Sequence, residues 1–139
     1  MRILFDLNRG NPGWLRRSRM LAWAIKPLCE ALVRIDQLYL VAHPNTPMLY
    51  ESGVRYQNEP RGQPFEEFAP IPTLLGRKWG DCDDLAPWRA AELRVRGKEN
   101  ASIRVQWKRV GPNREKLFHI VVRRANGAIE DPSRILGMR

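Results

Sequence analysis

Long apolar runs are missing from this chain of 139 residues. No stretch approaches the ~18 apolar residues that a membrane span needs, so no membrane partner is expected. Met1–Asp6 carries no signal-type apolar core, which leads to the expectation of a protein made in a reducing cytosol. Cysteine is scarce. Only Cys29 and Cys82 are present, and both are expected as reduced thiols. There is no Cys-x-x-Cys pair for zinc and no calcium-loop spacing of acids. Asp81, Asp83 and Asp84 do crowd together, but Asp81 and Asp84 lie one helical turn apart while Asp83 points elsewhere. No metal and no cofactor is therefore expected. Histidine is equally scarce, with His43 and His119 alone. Internal repeats, low-complexity segments, zinc fingers and stacking-aromatic motifs are absent.

What is present fits a globular domain. Hydrophobic residues make up 43% and aromatics 9%, too much for a disordered chain. The length fits one domain. Charge is strongly one-sided, with 24 Lys+Arg against 15 Asp+Glu and a net charge of +9. The excess is spread, through Arg16, Arg17, Arg19 and Lys26 early and Arg104, Lys108, Arg109, Arg114, Lys116, Arg123 and Arg124 late. Such a distribution reads as a basic face. It suits an acidic partner, and nucleic acid only electrostatically.

Residues 2–6 suit a short strand, and Asn8–Gly13 a turn. From Trp14 to about Val41, Leu21, Ile25, Leu28, Leu32, Ile35 and Tyr39 recur at helical steps. Pro27 should kink that helix or split it. Cys29 lies near the apolar stripe and reads as a small buried hydrophobe. His43 to Pro72 holds six prolines, Pro44, Pro47, Pro60, Pro64, Pro70 and Pro72, and excludes regular helix or central strand. It also carries Tyr50, Val54, Tyr56, Phe65 and Phe68, so an ordered segment wrapped on the body is expected. His43 reads as structural or solvated.

A helix follows from about Cys82 to Arg96, with Gly97 as its stop and Pro87 awkwardly placed after the first turn. Ala101–Arg109, Leu117–Arg123 and Ala128–Glu130 read as strands. Asn126-Gly127 predicts a two-residue hairpin turn. With that turn, facing positions sum to about 253, which puts His119 opposite a position near 134 and close to Asp131.

The chemistry concentrates at three residues. A thiol in the first turn of a helix meets unpaired amides and the positive dipole end, which favour thiolate. Cys82 is the candidate nucleophile, His119 its base, and Asp131 the residue that orients the imidazole. The N–H of Cys82 is one oxyanion donor, and Trp79 Nε1–H or the amides of the loop before it are candidates for a second, with Gly80 and Asp81 as further oxyanion or substrate candidates. The three acids beside Cys82 oppose this reading, since nearby negative charge raises a thiol pKa. They have to point away, cap amides, or pair with Arg77 or Arg89.

Gly80-Asp81-Cys82-Asp83-Asp84-Leu85-Ala86 at a helix start, then a hairpin with His119 and Asp131-Pro132, resembles the transglutaminase-like branch of the papain-like fold. Gly80, Asp84 and Ala86 match its glycine two before the cysteine, acid two after and alanine four after. Leu93-Arg94 and Gly97 match its usual helix end. Val121 departs from the aromatic often found two after the histidine, and prolines replace the usual helix before Trp79. The resemblance implies Cys82, His119 and Asp131 as catalytic residues of a cysteine peptidase, amidase or transglutaminase-like acyltransferase. Leu49–Tyr56 together with Gly80–Arg94 is also similar to small transglutaminase-like proteins of tailed bacteriophages. That implies a phage product of the bacterial host cytoplasm, with virion association open. Its partners would be a protein or peptide substrate, or phage assembly partners for a non-catalytic relative on the same fold. The expected fold is α+β over 1–139, with an N-terminal kinked helix and wrapping segment in 1–73. The Cys/His/Asp core in 74–139 would have its helix packed on a small antiparallel sheet.

Overall fold

The computed structural model describes residues 3–5, 19–60, 66–110, 112 and 115–139. The Asn8–Gly13 turn, the helix start at Trp14, and Arg16, Arg17, Pro64, Phe65 and Arg114 lie outside them.

Helix α1 (Arg19–Ala42) runs unbroken through Pro27. Of the kink or split expected at Pro27, the split does not occur. Pro27 is exposed, so water can serve the carbonyl left without an amide partner. Ile25, Cys29, Leu32, Val33 and Leu40 form the buried stripe of α1. Cys29 is fully buried, as a small core residue would be. His43 follows the helix end, where its Nδ1 lies 3.0 Å from Tyr39 O and its ring stacks on Tyr39 at 4.2 Å.

The proline-rich stretch is packed on the body. It holds a 3₁₀ turn (Leu49–Glu51), then β2 (Arg55–Tyr56) and β3 (Glu66–Phe68). Leu49, Val54 and Phe68 are buried in the core. Strand β3 pairs antiparallel with β1 (Ile3–Phe5). Contrary to the sequence reading, the stretch runs into a helix, α2 (Ile71–Arg77). Pro72 sits in its first turn, where a missing amide costs nothing. The buried Asp36 of α1 accepts the Ile71 N–H at 3.0 Å, serving one orphan donor of α2. After α2, Lys78 turns left-handed at φ 64, and β4 (Trp79–Gly80) pairs in parallel with β2.

Helix α3 (Cys82–Val95) is the centre of the core, packed against α1 on one side and the sheet on the other. Leu85, Ala86, Trp88, Ala90 and Ala91 are fully buried. The Trp88 indole N–H has no acceptor among the described residues. That costs about 1–3 kcal/mol, less than the ~4–6 kcal/mol from burying so large a side chain. Pro87 is also buried inside α3 without ending it.

The three-stranded sheet has the order β5 (Ser102–Val110), β6 (Glu115–Arg123), β7 (Ile129–Glu130), all antiparallel. Ile103 pairs with Val122 and Val105 with Ile120, and this face joins the core. The hairpin after β6 differs from the two-residue turn expected. Arg124 N–H bonds Ala128 O at 2.8 Å, so three residues, Ala125, Asn126 and Gly127, form the loop. Gly127 takes φ +85 and Asn126 Oδ1 accepts the Ala128 N–H, which absorbs the extra residue. Facing positions therefore sum to 252, through Val122 opposite Glu130. A short helix α4 (Pro132–Ile135) then begins with Asp131 as its N-cap. Among the described residues the architecture is mixed α+β, with four helices and small sheets. No described helix is long and apolar enough to cross a membrane.

Candidate active site

Three segments converge at the start of α3. The first is the β4–α3 junction. Gly80 is buried, and a Cβ there would lie 2.9 Å from Leu74 Cδ2 and 3.2 Å from Asp84 Cβ. Glycine is needed for this close approach. Asp81 is the N-cap and Cys82 the first residue of the helix, half-buried.

The second segment is β6, which carries His119 opposite Gln106. The third is the β7–α4 junction. The ladder ends at Glu130, so Asp131 reaches His119 from the helix cap rather than from a strand. Asp131 Oδ2 lies 2.9 Å from His119 Nε2. A carboxylate only accepts, so Nε2 carries the hydrogen and donates it. Asp131 Oδ1 accepts the Arg134 N–H at 3.2 Å, and Arg134 Nε lies 3.5 Å from Oδ2. The carboxylate thus caps its own helix with one oxygen and orients the imidazole with the other. Nδ1 is the ring nitrogen left to take a proton from a second group.

Cys82 and His119 line one cavity of about 420 Å³, together with Asp81, Tyr56 and Phe118. Trp79 and Gly80 do not line it. Trp79 instead lies under the Arg77 guanidinium, 3.8 Å from its ring centre, while its carbonyl accepts Arg77 Nε–H at 2.8 Å. Of the three oxyanion or substrate candidates, only Asp81 faces the cavity. Tyr56 was legible only as one aromatic of the wrapping segment. It reaches the cavity because β2 pairs with β4, and its hydroxyl donates to Asn58 Oδ1 at 2.6 Å. Burial, then the nearby Cys82 and Asp81, push the Tyr56 hydroxyl up to about 12.

The three acids are resolved in different ways. Asp84 accepts the Ala69 N–H at 2.6 Å, Arg77 Nη2–H at 2.5 Å and the Asp81 N–H at 3.4 Å. Arg89, the other expected partner, instead binds Glu92 and Glu130. Asp83 is fully buried, and neither oxygen meets an N–H or hydroxyl donor among the described residues. Burial, then the Asp81 charge, push Asp83 well above the usual carboxylate range. These effects favour the protonated form of Asp83, and burial raises Asp81 as well. Burial and Asp81 raise Asp84 too, opposed by the Ala69 amide and Arg77. Carboxyl oxygens of all three lie within 4.8 Å of one another. The negative charge beside the sulfur is therefore smaller than three carboxylates would give.

Cys29 and Cys82 are thiols. Burial, with added repulsion from Cys82 and the nearby acids, drives the Cys29 thiol strongly upward. Comparison with protein-family models, curated proteins and solved structures finds no match for this chain, so its own residues carry the functional argument.

Proposed function

We propose that the protein is a thiol-dependent acyl-transfer enzyme on the transglutaminase-like branch of the papain-like fold. One observation carries this reading. His119, oriented through Nε2 by Asp131, shares a cavity with a cysteine in the first turn of a buried helix. His119 Nδ1 takes the Cys82 proton, and the sulfur attacks an amide or isopeptide carbonyl. The tetrahedral oxyanion is met by the Cys82 N–H at the start of α3. His119 returns the proton to the leaving amine, and a thioester remains on Cys82. Water attacking that thioester releases acid and makes a peptidase or amidase. A lysine amine forms a new isopeptide bond and makes a cross-linker. Asp131 holds the imidazole and stabilises its charged form.

The acids around Cys82 favour a second reading, a non-catalytic phage structural or assembly protein on the same fold. Thiol chemistry separates the two. Iodoacetamide labelling followed against pH should modify Cys82, not Cys29, with a midpoint well below that of an ordinary thiol near 8.5. An amide substrate should release a burst of amine with acylated Cys82. Full activity in Cys82→Ala, or an inert thiol at Cys82, would leave the non-catalytic reading.

A further inference from the structure

The cavity at Cys82 has a charge pattern that the acyl-transfer scheme does not use. Lys108 of β5 and Arg134 of α4 line it, with Arg139 beside them. They come from separate parts of the chain, and Lys108 and Arg134 are exposed at the mouth. Among the described residues, Lys108 and Arg139 meet no carboxylate within ion-pair distance, and Arg134 meets Asp131 through Nε. The Arg134 side chain is 66% exposed. Of the acids nearby, Asp81 lines the cavity as well, while Asp83 and Asp84 are fully buried. Asp84 is paired with Arg77, and Asp131 is held by His119 and Arg134. Apolar surface from Phe118 and Met138 completes the wall. A rounded cavity of this volume is about 9 Å across, close to the ~8 Å screening length at physiological salt. An anion at the mouth therefore feels these cations while its neighbouring carbonyl reaches the sulfur.

We infer that the site selects an acidic peptide, with a carboxylate side chain beside the reacting amide held by Lys108 and Arg134. This deepens the acyl-transfer reading and rests on it. The overall charge of +9 acts in the same direction, raising the rate of encounter with acidic chains. A lysine-rich peptide is repelled at the same mouth.

The test uses two alkylating reagents of nearly equal size, anionic iodoacetate and neutral iodoacetamide. In both, the Cys82 sulfur forms a bond to carbon and iodide leaves. The iodoacetate-to-iodoacetamide rate ratio at Cys82 should exceed that of a small thiol several-fold and fall as salt is raised. In Lys108→Glu, which reverses one charge in the cavity wall, the ratio should drop about fivefold. Lys108→Gln should drop it by about half that factor on a logarithmic scale. A ratio equal to the small-thiol value and unmoved by Lys108→Glu overturns the anionic preference while leaving the thiol reading intact. Labelling by neither reagent overturns both. A second arm compares amide peptides of equal length flanked by Glu or by Lys. The acidic series should have the higher kcat/KM, and parity between them would reject the inference.

Discussion

Asp131 meets His119 from the cap of a helix, with Oδ2 at 2.9 Å from Nε2 and Oδ1 taken by the Arg134 amide. Both oxygens are committed, and they need donors on both sides. An asparagine has one oxygen and one NH₂, so it can serve the helix amide or the imidazole N–H, not both.

Asp131→Asn should therefore cut Cys82 acylation roughly 10²–10⁴-fold while the protein stays folded. Asp131→Ala should lose as much activity and about 1 kcal/mol from the missing cap. Acylation rates and thermal melts on both variants measure this. Near-normal activity in both would remove Asp131 from the machinery.

Asp36 gives a prediction on stability alone. It is buried on α1, and burial pushes it up to about 8 although the Ile71 amide partly opposes the rise. The folded state thus holds a proton that the unfolded chain releases near 3.8. Stability conferred below that value is lost as pH rises towards about 8, with a slope of at most about 1.4 kcal/mol per pH unit. Asp36→Asn keeps an acceptor for Ile71 and has no charge to bury. Its melting temperature, relative to the wild type, should improve steadily from pH 5 to pH 8. A constant difference across that range would show that Asp36 is ionised throughout.

Asp83 has the same sign and a different readout. Its folded-state value lies well above the usual range, through burial and the Asp81 charge, so it too costs stability as pH rises. Asp83→Asn replaces the carboxyl with an amide that cannot ionise. It also removes one ionisable acid from the neighbourhood of Cys82. Because the protonated form of Asp83 carries no charge, the midpoint of iodoacetamide labelling at Cys82 should stay fixed, while stability at alkaline pH should rise. A labelling midpoint that falls would show that Asp83 is ionised and that its charge is felt by the sulfur.

Much of this arrangement was legible because it follows local rules. Ile25 and Leu32 of the expected stripe are buried in α1, while Leu28, Ile35 and Tyr39 are half-buried and Val33 and Leu40 complete the buried face. Ile103 of the alternating β5 run is buried and Val105 half-buried, whereas Trp107 is exposed. The meeting of His119 with Asp131 also followed from the hairpin, although its register did not. Gly127 adopts φ +85 in a three-residue loop, and a pattern such as Asn-Gly does not count the residues around it. Helix α2 was hidden by Pro70 and Pro72, because its start depends on Asp36, 35 residues earlier in the chain. Tyr56 and Arg134 were invisible as cavity residues for the same reason. Their positions follow from tertiary contacts, the β2–β4 pair and the Asp131 cap. Trp79 was a reasonable oxyanion candidate by position, yet Arg77 stacks on its ring and its carbonyl faces the same guanidinium.

Gly80 tests how tightly the thiol is placed. A Cβ there meets Leu74 Cδ2 at 2.9 Å, and Asp84 at 3.2 Å through Cβ and 3.3 Å through Oδ2. Leu74 is fully buried, so its side chain has little room to yield. The strain in Gly80→Ala must pass either into the core or into the Asp84 contact. Overpacking of this kind costs about 1–3 kcal/mol. Because Asp84 Oδ2 accepts the Asp81 N–H, a shift of Asp84 also moves the turn that carries Cys82. Gly80→Ala should then lower the melting temperature modestly and reduce Cys82 acylation more than the stability loss alone would explain. Pairing it with Leu74→Val opens space at the nearest contact and should restore part of the acylation rate. If the double variant recovers neither, the backbone at Gly80 rather than the Leu74 contact sets the position of the sulfur.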